Sequence, residues 1–353
     1  MKFSTLILLP FLLILSQGCN RQENIDVRLT EADSLMMSNP EKSLEILESI
    51  GKPHYSGEEL NAYYALLLSQ ARYRNFIDAE SDSLIMVAVK YYETTGDRRN
   101  LACAYLYAGC VNGELGDEEK DLYFTQKAAE TAEKTVDYGL LTHIYYHWGR
   151  ILCDKKPYNM AIEYFEKSKK YAEAEGDKRY IANNFYELSR IYTYQNDLHK
   201  AKEMIDSAIQ LKSRLSVMYT MQSMILKQLD MPKQALNAIE KAQGHASGDL
   251  DSTVIYSCKG DIFLCLNQLD SAECYIKRSK DNDSYYSRAD YENLMSELEE
   301  KRGDYRQSLI HSRNYARLLD TTESAIRKRK SRLKNDRLQA DGFETLEEYI
   351  ESI

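Results

Sequence analysis

Two histidines stand four residues apart in "HIYYH", His143 and His147. On a helix this spacing puts both imidazoles on one face, where two ligands of a metal ion would sit. A zinc-dependent peptidase would carry glutamate directly after the first histidine; Ile144 stands there, and no third ligand accompanies the pair. The pair is therefore expected to hold no metal. Cys103 and Cys110 are seven residues apart, as are Cys258 and Cys265. Two helical turns separate each pair by about 10 Å, too far for a disulfide. With Cys153 and Cys274 they read as small buried apolar groups, and a Cys265–Cys274 bridge in an oxidising compartment stays open. No Gly-rich phosphate loop, CxxC or Gly-x-Ser-x-Gly is present. No serine or cysteine sits in a context that would activate it as a nucleophile. Acidic runs such as "GDEEKD" (116–121) read as solvated turns and first-turn dipole partners. The chain is thus expected to have no catalytic residues and no cofactor, and not to be an enzyme.

The elements that would position these residues show a stronger pattern. In "YNMAIEYFEKSKKYAEAEGD" (158–177), Ala161, Phe165 and Ser168 recur at steps of four and three, and Gly176-Asp177 closes the segment. The steps mark one face of a helix; the Gly-Asp pair marks its stop. Small residues on that face mean that another backbone comes close. Gly149 lies twelve residues before Ala161, and the same offset joins Ser189 to Ala201, Ser223 to Ala235 and Gly260 to Ala272. Four residues after each alanine come Phe165, Ile205, Ile239 and Ile276; three further on come Ser168, Ala208, Ala242 and Ser279. Tyr145, Phe185, Tyr219 and Tyr256 precede the small residues by four. A two-helix unit therefore returns about every 34 to 40 residues, the period of a helical repeat.

The pattern resembles the tetratricopeptide repeat family over most of residues 31–317. The unit around Gly109 keeps Tyr105 and Ala128 but carries Asp121 where alanine is expected. A weaker unit follows at Ser296, Ser308, Ser312 and Tyr315; two precede, one with Ser43, Leu47 and Ile50, the other over 59–92 with a stretched inter-helix link. The resemblance implies an all-α fold: a right-handed superhelical solenoid of about eight antiparallel helix pairs over 31–322. It also implies a concave groove lined by first-helix residues six and three before the small residue and one, four and five after it. In the Gly149 unit these include His143, Tyr146 and Arg150; in the Ser189 unit, Asn183, Tyr186, Arg190 and Tyr194. Two arginines thus occupy matched places among tyrosines, able to grip a carboxylate or to pair with neighbouring acids on the surface.

The ends differ from the repeats. Residues 1–18 have the shape of a signal peptide: Lys2, an apolar run from Phe3 to Leu15, then small or polar residues. Gly18-Cys19 resembles a bacterial lipobox, which implies a lipidated Cys19 followed by a polar tether to residue 30. The chain is then similar to tetratricopeptide-repeat lipoproteins of the Bacteroidetes kind, placed in the bacterial cell envelope and expected at the outer membrane. Residues 323–353 hold a basic stretch, "IRKRKSRLKNDR" (326–337), and an acidic tail. The net charge of −9 argues against nucleic acid as partner. The expected function is a lipid-anchored scaffold binding a protein or peptide. Two alternatives are a periplasmic sensor signalling to a partner and an accessory lipoprotein of carbohydrate uptake.

Overall fold

The computed structural model describes residues 27–51, 57–155, 157–246, 249–281 and 285–321. The expected signal segment, Cys19 and the terminal stretch 323–353 lie outside them. Helix occupies almost all of what is described: α1 (27–35), α2 (Pro40–Ile50), α3 (Glu58–Arg74), α4 (Ser83–Thr95), α5 (Arg98–Glu114), α6 (Glu118–Ala132), α7 (Tyr138–Lys155), α8 (Tyr158–Glu175), α9 (Lys178–Tyr194), α10 (Leu198–Gln210), α11 (Leu215–Gln228), α12 (Pro232–Gly244), α13 (Asp249–Cys265), α14 (Leu269–Arg278), a 3₁₀ turn (Ser279–Asp281), α15 (Tyr285–Arg302) and α16 (305–321). Residues 27–30 belong to α1, so the expected tether is already helical there. The two compact units are Met1–Trp148 and Gly149–Ile353, divided within α7.

The turns explain the Gly-Asp pairs. Gly96, Gly116, Gly176 and Gly303 take positive φ of 75°, 80°, 78° and 82°, ending a helix at little steric cost. The aspartate that follows caps the next helix: Asp97 accepts from Asn100 N at 3.1 Å, Asp117 from Lys120 N at 2.9 Å and Asp177 from Tyr180 N at 3.1 Å.

Within a pair, the small residue of the first helix faces the second. A Cβ on Gly149 would stand 2.8 Å from the Phe165 ring, and one on Gly260 would stand 2.6 Å from Ile276. Ala161, Ala201, Ala235 and Ala272 are fully buried, as are Phe165, Ile205, Ile239 and Ile276. The repeat signature is therefore a packing signature, and the first unit keeps it in another form. Ser43 is buried and donates to Ala32 O at 2.7 Å, joining α2 to α1. First helices also pack on first helices: α3 on α5 in the first unit; α9 on α11, α11 on α13 and α13 on α15 in the second. These contacts set first helices side by side, and that layer carries the site.

Candidate functional site

In the second unit a groove of about 260 Å³ runs across α11, α13 and α15. Ser223, Met224, Lys227 and Gln228 line it from α11, Ser257, Cys258, Asp261 and Ile262 from α13, and Asp290, Asn293 and Leu294 from α15. The spacing is helical, three or four residues per step, so each helix gives one stripe. Counted from Ser223, Gly260 and Ser296, Met224 and Asp261 stand one after the small residue, Lys227 four after and Gln228 five after. Ser257 and Asn293 stand three before, Asp290 six before. This is the lining register expected upstream, filled here by units in which no site residue was expected. Extending the register along the repeats is the signal that would have found them.

The groove has an apolar floor and charged walls. Ile262 and Leu294 are buried beneath it, while Met224 is 38% exposed. Lys227 Nζ meets Asp261 Oδ2 at 2.5 Å, bridging α11 to α13. Burial, the largest effect on Lys227, disfavours its charge, but the hydrogen bond and attraction from Asp261 outweigh it and hold the ammonium above its ordinary pKa. Glu297, one residue after Ser296, also acts on Lys227. Two carboxylates, Asp261 and Glu297, therefore act on one ammonium. Asp290 has no hydrogen-bond or ion-pair partner among the described residues. Partial desolvation and then the Asp261 carboxylate raise its pKa. Burial pushes the Cys258 thiol up to about 12, so at neutral pH it is no nucleophile. Such a groove can bind an extended segment that brings a cation and an apolar side chain.

The residues expected upstream divide. Asn183, Tyr186, Arg190 and Tyr194 share α9. Arg190 Nη1 meets Glu187 Oε2 at 2.6 Å, and its guanidinium lies 6.0 Å from the Tyr186 ring and 5.9 Å from that of Tyr194. Tyr194 stacks on Tyr158 of α8 at 6.0 Å. Arg190 is thus held rigid and paired to an acid. Asn183 buries its Oδ1 with no hydrogen-bond partner among the described residues. His143 and Tyr146 lie half-buried on α7 in the first unit; Arg150, on the same helix in the second unit, is exposed.

Two expectations about reactive groups are corrected. Asp121, read as part of a solvated turn, is buried and meets His147 Nε2 at 2.8 Å; Cys110 Sγ lies 3.7 Å from His147 Nδ1. Gly109 and Gly113 make the room: a Cβ on Gly113 would stand 2.5 Å from Asp121 Oδ2. Desolvation lowers the His147 pKa, but Cys110 and Asp121 outweigh it and raise it to about 10. Among the described residues no group of three His, Cys, Asp or Glu side chains is arranged to hold a metal. Cys265 and Cys274, expected to be buried, are exposed, and both thiols are free.

Residues 140–214 match the tetratricopeptide repeat family. None of the curated protein sequences is similar to the chain. Solved structures are. The quorum sensor NprR from B. thuringiensis in its apo form superposes with a TM-score of 0.59 at 14% identity, over 85% of this chain and 99% of that one. NprR in complex with its cognate peptide NprX gives 0.55 at 15%, over 86% and 99%. A signal-transduction ATPase with a tetratricopeptide-repeat sensor from Pyrococcus horikoshii gives 0.64 at 16%, over 88% of this chain and 49% of that one. The fold of the chain is therefore that of tetratricopeptide-type helical repeats, all-α and built from tandem helix pairs.

Proposed function

We propose that the chain is a binding scaffold that holds a peptide, or a peptide-like segment of a partner protein, along the inner faces of α11, α13 and α15. It acts by binding and not by catalysis. The observation that carries this reading is the single register on which three successive first helices present Met224, Asp261 and Asp290 to one groove. One structural neighbour, NprR, is described with its cognate peptide bound. In the same proposal the scaffold is tethered in a bacterial cell envelope, at the outer membrane, by a lipid on Cys19. The support is the apolar run that closes on Gly18-Cys19. No helix among the described residues is long and apolar enough to cross a membrane.

The test is selection of displayed peptides on the intact chain, followed by calorimetry of the best binder. Met224→Asp and Asp290→Lys, both at exposed positions, should each weaken binding about tenfold or more while helicity is unchanged. Equal affinity for both variants contradicts the site. For the anchor, Cys19→Ala should move the protein from the detergent-soluble to the soluble envelope fraction; unchanged partitioning contradicts it.

A second reading, a sensor that passes a bound signal to a partner, is favoured by the neighbours described as sensors. A regulator co-purifying from solubilised envelope only when the groove ligand is present would select it; a ligand-independent membrane complex would select the scaffold.

A further inference from the structure

The charge of the lining changes along the second unit. One residue after the small position stand Arg190 on α9, Met224 on α11, Asp261 on α13 and Glu297 on α15. The acidic end of this series is the groove itself. Asp290, Asn293, Leu294 and Glu297 form one stripe of α15, at steps of three, one and three. Lys227 is already held by Asp261, and Glu297 pairs at 3.8 Å with Lys301 of its own helix. Asp290 is the carboxylate of the α15 wall left without an ion pair among the described residues, and it bears the mark of it: desolvation and its like-charged neighbour Asp261 raise its pKa.

The chain carries a segment of the opposite charge beyond α16, the helix that follows that wall. The stretch 326–337 has seven Lys or Arg against one Asp, with Ile326 and Leu333 as apolar members. We infer that this basic segment is an occupant of the groove, its ammonium and guanidinium groups on Asp290, Glu297 and Asp261, and Ile326 or Leu333 toward Met224. The inference rests on the groove being a peptide site, and it names the chemistry of the peptide: basic, with a spaced apolar side chain.

Chain length allows it. α16 runs back along α15: His311 Nδ1 meets Glu292 Oε2 at 2.7 Å, Asn314 Nδ2 meets the same oxygen at 3.2 Å, and Ser312 meets Ser296 at 2.7 Å. Seven residues past Asn314, residue 321 lies about 10 Å farther along the axis, beside the start of α15. The groove stripe is on the opposite side of α15 from Glu292. Passing round the helix end therefore adds one interaxial spacing and a helix radius, for a path of roughly 20–25 Å. Nine residues, 322–330, span up to about 30 Å. Lys330, Arg332 and Lys334 can therefore meet the acids.

The experiment uses the intact chain, in carbodiimide cross-linking read by mass spectrometry and in limited tryptic digestion. At low salt the monomer should give cross-links from Lys328, Lys330 or Lys334 to Asp290, Glu297 or Asp261, lost at high salt. The variant Asp290→Asn with Glu297→Gln should be cut between 326 and 337 at least threefold faster than wild type, with cutting elsewhere unchanged. Three results overturn the inference. One is cross-links only to Glu344, Glu347, Glu348 or Glu351, which would pair the basic segment with the chain's own acidic tail. Another is cross-links confined to dimers, which would make the occupant a second copy. The last is digestion indifferent to the variant. In each case a displayed peptide that still binds the groove leaves the proposed function standing. Failure of peptide binding together with tail cross-linking would instead show a groove that serves only its own chain.

Discussion

Two places in the molecule hold the same three kinds of group. In the first unit Asp121, His147 and Cys110 meet within 3.7 Å. In the second, Asp261 pairs with Lys227, and Cys258 lies beside them in the same groove wall. The first set is sealed: the side chains of His147 and Asp121 are 14% and 10% exposed. The second is open, with Lys227 and Asp261 29% and 28% exposed and Asp290 standing at the rim. Space decides the difference. Glycines at 109 and 113 let a carboxylate replace the usual alanine and sink between helices. On α11, α13 and α15 the charged groups stand one to six residues from the small position, on the side the pair does not cover. An acid, a base and a thiol together therefore mark a fastening in one place and a binding surface in the other.

The comparison is broken most directly by cutting each pair. His147→Ala leaves the Asp121 carboxylate buried without its partner and should cost about 3–5 kcal/mol in urea unfolding. Lys227→Ala, in the open pair, should cost under about 1 kcal/mol. Comparable losses at both sites would erase the distinction. Adding Asp121→Ala to His147→Ala should recover part of the loss, since alanine is what four other repeats carry there, at 161, 201, 235 and 272.

Overpacking of the repeat signature comes next in size. Ala161→Leu or Ala201→Leu should each cost about 1–3 kcal/mol, because both sit where paired helices touch. Melting curves indistinguishable from wild type would contradict the pairing.

The sealed pair also has a pH signature that the open one lacks. The His147 pKa rises from 6.5 to about 10 on folding, so between these values the folded state binds the extra proton. Its contribution is full below pH 6.5 and is lost as pH rises toward 10. Wild type should lose stability across that window relative to His147→Gln, followed by unfolding at stepped pH. Parallel curves would remove the charged pair. Arg190→Ala lies between the two pairs: its guanidinium side chain is 34% exposed, but the Glu187 carboxylate it meets is only 6% exposed, so removing that guanidinium from a buried acid should cost about 1–3 kcal/mol.

How much of this was legible depends on how far apart the determining residues lie. The helix pairs were readable because Gly149 and Phe165 contact each other within one unit, where spacing is regular. Asp121 was not, since its partner comes 26 residues later, on a helix of the next pair. Cys265 could have been read as exposed: it stands five after Gly260, on the lining register. Cys274 stands two after Ala272, turned away from the buried face. For the site, the register chose the correct face of the helix, whereas the choice of unit depended on where side chains leave space. Around Arg190 the tyrosines and Glu187 fill it; around Met224 they do not.

The central claim, that the open face of α11, α13 and α15 is the binding site, is tested most directly by one calorimetric series. A peptide selected on the intact wild type is titrated into Met224→Asp, Asp290→Lys and Arg190→Ala. The account predicts about tenfold or greater weakening for the first two and less than about twofold for Arg190→Ala, with helicity unchanged throughout. Full affinity in the groove variants, with loss confined to Arg190→Ala, would contradict it and move the site to α9.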